Sequence, residues 1–182
     1  MARVTRPWAA AAVFLATLAG CAAPGAREPT PASAAPSDEA LANATYASGL
    51  LQGAPVTLRD GFYERGDGIV VRLMPAPAAR GVVAGRPSAA VLLAESGGGS
   101  GTFISLVLVQ DTDGRAVPVA STLLGDRPRV NRVEIEAGGV VLVDMLAVGE
   151  KDPACCPSTP LVVRYALEDG KLVLRSAQAG PR

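Results

Sequence analysis

From residue 69 onward the chain is a series of short apolar runs divided by turn dipeptides, and this spacing limits its possible folds more than any other feature. The runs are IVVRLM (69–74), AAVLLAE (89–95), TFISLVLVQ (102–110), VNRVEIE (130–136), VVLVDMLAV (140–148), PLVVRYAL (160–167) and KLVLRS (171–176). In VNRVEIE, Val133 and Ile135 point one way while Arg132, Glu134 and Glu136 point the other. In LVVRYALE, Leu161, Val163, Tyr165 and Leu167 share one side, with Arg164 and Glu168 on the other. Period-two alternation of this kind marks a half-buried strand of an antiparallel sheet. AAVLLAE and FISLVLV are almost continuously apolar and are expected to be buried on both faces. Asp60-Gly61, Asp113-Gly114, Gly138-Gly139 and Asp169-Gly170 are two-residue hairpin signals at the right intervals. Nothing after residue 53 carries a helical period. The expected fold is all-β: an antiparallel meander that closes as a small barrel or folds as a sandwich. With one Trp, three Tyr and three Phe in the whole chain, its core must be mainly aliphatic.

The other end of the chain reads differently. MARVTRPWAAAAVFLATLAGC places two arginines before an apolar run from Trp8 to Ala19, too short for a membrane span and laid out like an export signal. Its last four residues, Leu18-Ala19-Gly20-Cys21, resemble a bacterial lipobox. The resemblance implies cleavage before Cys21, diacylglycerol on its sulfur and an acylated amine. Each buried methylene contributes roughly 0.8 kcal/mol, so two or three acyl chains anchor a protein without a spanning helix. Ala22 follows the cysteine where an aspartate would resemble an inner-membrane retention signal, which favours the outer membrane, facing the periplasm. Residues 1–20 are thus read as signal peptide and 21–44 as lipidated cysteine plus tether. AAPGAREPTPASAAPSDEALANA is dominated by Ala, Pro and Ser and buries too little to offset chain entropy. Its tail, SDEALANA, offers one helical turn capped by Ser37. Residues 45–179 form the globular domain.

Composition excludes several functions. Removing Arg3 and Arg6 leaves 15 basic residues against 17 acidic ones, with no histidine. A slightly negative surface is unsuited to nucleic acid. The missing histidine removes the commonest general base and the commonest metal ligand.

Candidate sites are few. SGGGSG, with Gly97, Gly98, Gly99, Ser100 and Gly101, joins two of the most apolar runs. It lacks the lysine and helix of a phosphate loop, and Ser100 has neither a nucleophile frame nor a histidine to activate it. A flexible hairpin loop is the simpler reading, a ligand loop the sharper one. QDTDGR (110–115) starts like a calcium loop, but residue 122 is Thr where a bidentate glutamate is needed, so a plain Asp-Gly turn explains it better. Arg127, Arg129 and Arg132 form the densest basic cluster, which strand alternation disperses along a solvated edge.

DPACCPST places Cys155 and Cys156 side by side between Pro153 and Pro157. With Cys21 spent on lipid, no third thiol remains in the chain. Neighbouring Cα atoms lie about 3.8 Å apart across a trans peptide, whereas an ordinary disulfide spans roughly 4.4–6.8 Å. A Cys155–Cys156 bond therefore closes a small strained ring and adds little by loop entropy. Four readings stay open: a vicinal disulfide, two inert buried thiols, a soft-metal clamp, or a mixed disulfide with another molecule.

Taken together, AAVLLAESGGGSGTF, LLGDR, VEIEAGGVV, DPACCPST and YALEDGKLV resemble a family of uncharacterised bacterial lipoproteins sharing a G-G-S-G loop and a D-P-x-C-C-P-[ST] segment. The resemblance runs from about Asn43 to Val173 and includes NATY and VTLRDGFYE (56–64). Members often carry an acidic Gly-Asp-x-Asn/Asp-Gly-Asp-Gly stretch before A-A-V-L-L. Here that place reads GVVAGRPSAAVLL, with Arg86 and no carboxylate between Arg80 and Ala94. The resemblance implies an envelope address and no established activity. The expected role is a non-catalytic, membrane-anchored binding module, with another envelope protein or a cell-wall component as partner, and without catalytic residues, cofactor, metal or nucleic acid. The alternative is a thiol-redox or soft-metal protein using Cys155 and Cys156.

Overall fold

The computed structural model describes residues 34–76, 78–153 and 155–181. The first element is α1 (Asp38–Ala42). It is followed by β1 (Thr45–Ala47), β2 (Pro55–Thr57), β3 (Phe62–Glu64), β4 (Ile69–Leu73) and β5 (Ala79–Val83). The long central strands come next: β6 (Arg86–Gly97), β7 (Phe103–Thr112) and β8 (Arg115–Asp126). The chain ends with β9 (Arg129–Ile135), β10 (Val141–Ala147), β11 (Thr159–Glu168) and β12 (Lys171–Ala179). All pairings are antiparallel. One sheet runs β3-β4-β6-β7-β8, with β5 on the remaining length of the β6 edge, and a second runs β12-β11-β10-β9.

The two sheets pack as a sandwich and do not close as a barrel. The chain passes from one sheet to the other between Asp126 and Arg129, where Gly125 and Arg127 take positive φ and Pro128 prevents the ladder from continuing. Between the sheets lies an aliphatic core of Leu92, Leu106 and Leu108 facing Val133, Val141, Val143, Met145 and Val163. The inward-facing residues of β9 and β11 are those that the alternation indicates.

The opposite face of the six-stranded sheet is also covered. Val91, Leu93, Val107 and Val109 pack under a flap made of α1 and the β1–β2 hairpin, through Leu41, Tyr46, Val56 and Leu58. Strands β6 and β7 are thus buried on both faces, which explains their unbroken apolar runs. Ser37 caps α1, its Oγ accepting from the Ala40 N–H at 3.2 Å. Leu41 and Ala44, which the sequence reading places in the tether, are core residues. The Tyr46 hydroxyl donates to the Leu41 carbonyl at 2.8 Å, and burial pushes its phenol well above the usual range.

Asp60-Gly61, Asp113-Gly114, Gly138-Gly139 and Asp169-Gly170 all have positive φ at both residues, the backbone of the tight turn their sequence signals. Gly139 also packs against the β5–β6 turn, where an added Cβ would sit 3.1 Å from the Val83 Cα. The β8 strand is absent from the apolar runs because Pro118, Ser121 and Thr122 interrupt its pattern. It is an edge strand with register shifts opposite β7, the place where a sheet tolerates proline.

Because both faces of β6 are buried, Leu92→Ala and Leu93→Ala should each cost about 2–5 kcal/mol. Leu174→Ala, at an exposed position on edge strand β12, should change stability by about 0.5 kcal/mol or less. Urea denaturation of the three variants checks this; a cheap Leu93→Ala would mean the flap is not part of the cooperative fold.

Candidate functional site

The sandwich has two dissimilar ends. At one end lie α1 and the tight turns at 84–85, 113–114, 138–139 and 169–170. Pro36 and α1 are held here: the Arg80 guanidinium reaches the Pro36 carbonyl at 3.3 Å and the Asp38 carboxylate at 2.5 Å. At the other end are the longer connections. These are the 48–53 turn, the β3–β4 tip at 65–68, the glycine-rich loop at 98–102, the corner at 126–129 and the cysteine loop at 148–158.

The corner links the glycine-rich loop to the cysteine loop. Asp126 Oδ1 accepts the Thr102 N–H at 2.8 Å, and the Arg127 N–H donates to the Thr102 carbonyl at 2.7 Å. The Arg127 guanidinium holds Asp126 at 2.8 Å, and this contact keeps the Asp126 carboxyl below its usual range. On its other side, Leu124, Asp126 and Pro128 border a cavity of about 260 Å³ with Ala147 and Val148, where the cysteine loop begins. Gly97–Gly101 and Cys155–Cys156 therefore sit at one end of the domain, on either side of the corner.

Within the cysteine loop Asp152 organises the backbone. Its carboxylate accepts the Ser158 Oγ–H at 2.6 Å and the N–H groups of Gly149 and Ser158, both at 2.8 Å. Bonding to Ser158 first, then to the Gly149 backbone, lowers its pKa. The sulfur atoms of Cys155 and Cys156 lie at disulfide distance, with Cα atoms 3.8 Å apart, and the Cys156 N–H donates to the Pro153 carbonyl at 2.9 Å. Both cysteines are exposed, so they are not the buried pair that one sequence reading describes.

Other sequence candidates disperse. Arg132 pairs with Glu134 at 2.7 Å, away from Arg127 and its partner Asp126. Asp111 caps its own turn, accepting the Gly114 N–H at 3.2 Å. No group of three or more metal-ligating side chains occurs among the described residues. None of their helices is long and apolar enough to cross a membrane. Cys21 and the signal segment lie outside the described residues.

Sequence reasoning missed Glu95. It shares a strand face with Ala89, Val91 and Leu93, and is only 2% exposed. Its carboxylate accepts the Ser48 Oγ–H at 2.5 Å, the Gly49 N–H at 3.1 Å and the Leu50 N–H at 3.3 Å, clamping the 48–53 turn to β6. The signal was present: a charge at the fourth inward position of an alternating apolar face. Comparison with protein-family models, curated proteins and solved structures finds no match for this chain.

The Asp152 carboxylate stabilises the folded loop above the ordinary carboxylate range, and this contribution is lost as pH falls through its lowered folded pKa. Asp152→Asn should therefore speed amide exchange at Gly149 and Ser158 at neutral pH. The difference from the parent chain should shrink in acid. An equal difference at every pH would remove the carboxylate's charge from the explanation.

Proposed function

We propose that the protein is a lipid-anchored envelope lipoprotein, attached through Cys21, whose β-domain is a non-catalytic binding module. Its long-loop end is the end that meets the partner. The address rests on the Leu18-Ala19-Gly20-Cys21 segment behind its short apolar run. The observation that supports the rest is the polarity of the sandwich: short tight turns gather at one end, and the glycine-rich and cysteine loops lie at the other. The ten residues of β7 join the two ends, a distance of roughly 33 Å at about 3.3 Å per residue. The long connections at that end are the surface offered to another envelope protein or a cell-wall component. The absence of histidine from the sequence favours binding over acid–base catalysis.

A second reading, a thiol-redox or soft-metal site, is favoured by one observation: Cys155 and Cys156 are both exposed in a loop that Asp152 holds in shape. Changing both cysteines to serine should then leave the fold intact and abolish thiol exchange or metal uptake. Two free thiols labelled without reductant would dismiss a resting disulfide.

For the first reading, Cys21→Ser should move the protein out of the membrane fraction of its host and abolish acyl labelling. A photoreactive residue at Gly99 should crosslink to an envelope component, whereas one at Asp113 should not. Release of the parent chain into the soluble cell contents would overturn the address. Crosslinking from Asp113 alone would overturn the orientation.

A further inference from the structure

Beside the flap, between the 47–50 segment and the exposed faces of β7 and β8, runs a groove of about 300 Å³. We propose that it binds a small amphiphilic cation: a protonated primary amine on a compact apolar body, with the ammonium on Glu95. The inference needs neither the lipid anchor nor the glycine-rich and cysteine loops and stands or falls on this groove.

Glu95 lines the groove and is almost wholly buried. A carboxylate removed from water is costly unless hydrogen bonds or an opposite charge compensate it. Ionised, it offers about four acceptor positions. Three are filled by Ser48, Gly49 and Leu50, with two of those bonds on Oε2 and one on Oε1. Oε1 keeps one position, and no lysine or arginine among the described residues forms an ion pair with Glu95. The three donors hold the turn, and the remaining Oε1 position, which no ion pair of the described residues occupies, is the place for a cation.

The walls supply the rest of the ligand's chemistry. Leu50, Phe103 and Leu123 line the same groove, and Phe103 and Leu123 remain 37% and 59% exposed despite their size. Phe103 is the register partner of Glu95 on β7, so ring and carboxylate are neighbours across the ladder. A cation there gains from the ring face as well as from the carboxylate. The volume lies at the small end of the ligand-site range, which fits one ring or a short alkyl chain.

Phenethylammonium and its neutral counterpart, phenethyl alcohol, test this by calorimetric titration of the purified full chain at neutral pH. Saturable binding of the amine, at least tenfold tighter than the alcohol, is expected. Hydrogen exchange should slow in peptides covering 47–50 and 103–105. Glu95→Gln should remove the preference for the amine, with circular dichroism reporting whether the variant folds. Leu123→Lys, at an exposed rim position, places a tethered ammonium in the groove and should weaken amine binding at least fivefold whatever the fate of Glu95→Gln. Equal affinity for amine and alcohol, no saturable binding of either, or a Leu123→Lys chain that binds the amine unchanged would each overturn the proposal.

Discussion

Strands β6 and β7 carry apolar side chains on both faces, and this double demand for cover organises the domain. One face is met by the four-stranded sheet, through Leu92, Leu106 and Leu108. The other is met by α1 and the β1–β2 hairpin, through Leu41, Tyr46 and Val56. The flap is not stable by itself: a five-residue helix and a pair of three-residue strands are far too short to persist in water. The flap therefore takes its order from the sheet it protects. The first two dozen residues after Cys21 cannot all be a free tether, since Leu41 and Ala44 belong to the second core.

Glu95 shows how a buried charge is used in such a setting. Apolar contact alone would let the 48–53 turn slide over the smooth aliphatic face of β6. Three directed hydrogen bonds to one carboxylate fix its position. The same side chain lines a groove bordered by Leu50, Phe103 and Leu123. Asp126 and Asp152 do comparable work in water at the long-loop end, where the first accepts the Thr102 N–H and the second gathers those of Gly149 and Ser158. Carboxylates are the joints of this fold, and arginine rather than lysine is the usual counter-charge, as in Arg127–Asp126 and Arg164–Glu136.

Much of the fold was legible because period-two alternation and Asp-Gly turns are local properties. The inward faces of β9 and β11, the Ser37 cap and the double burial of AAVLLAE and FISLVLV follow from side chains a few residues apart. The strands missed, β1 to β3, β5 and β8, are short or interrupted, and they become strands only because a longer neighbour offers its edge. Pro118 hides β8 in the sequence, and the edge of the sheet accommodates it. At the site, the glycine-rich and cysteine motifs stood out by composition. Glu95, Asp126 and Asp152 did not, because their partners are distant in the chain or are backbone groups that any sequence possesses.

By itself the sequence determined the all-β class and the tight turns, because backbone preference requires no distant partner. Tertiary structure decided the rest. It made a sandwich of the meander, since the Gly125–Pro128 corner sends the chain to a second sheet in place of closing the first. It brought the glycine-rich and cysteine loops to one end, about fifty residues apart in the chain, because antiparallel strands return every second connection to the same side. And it turned one inward glutamate into the clasp of a flap, which only the packing of residues 48–50 over β6 could do.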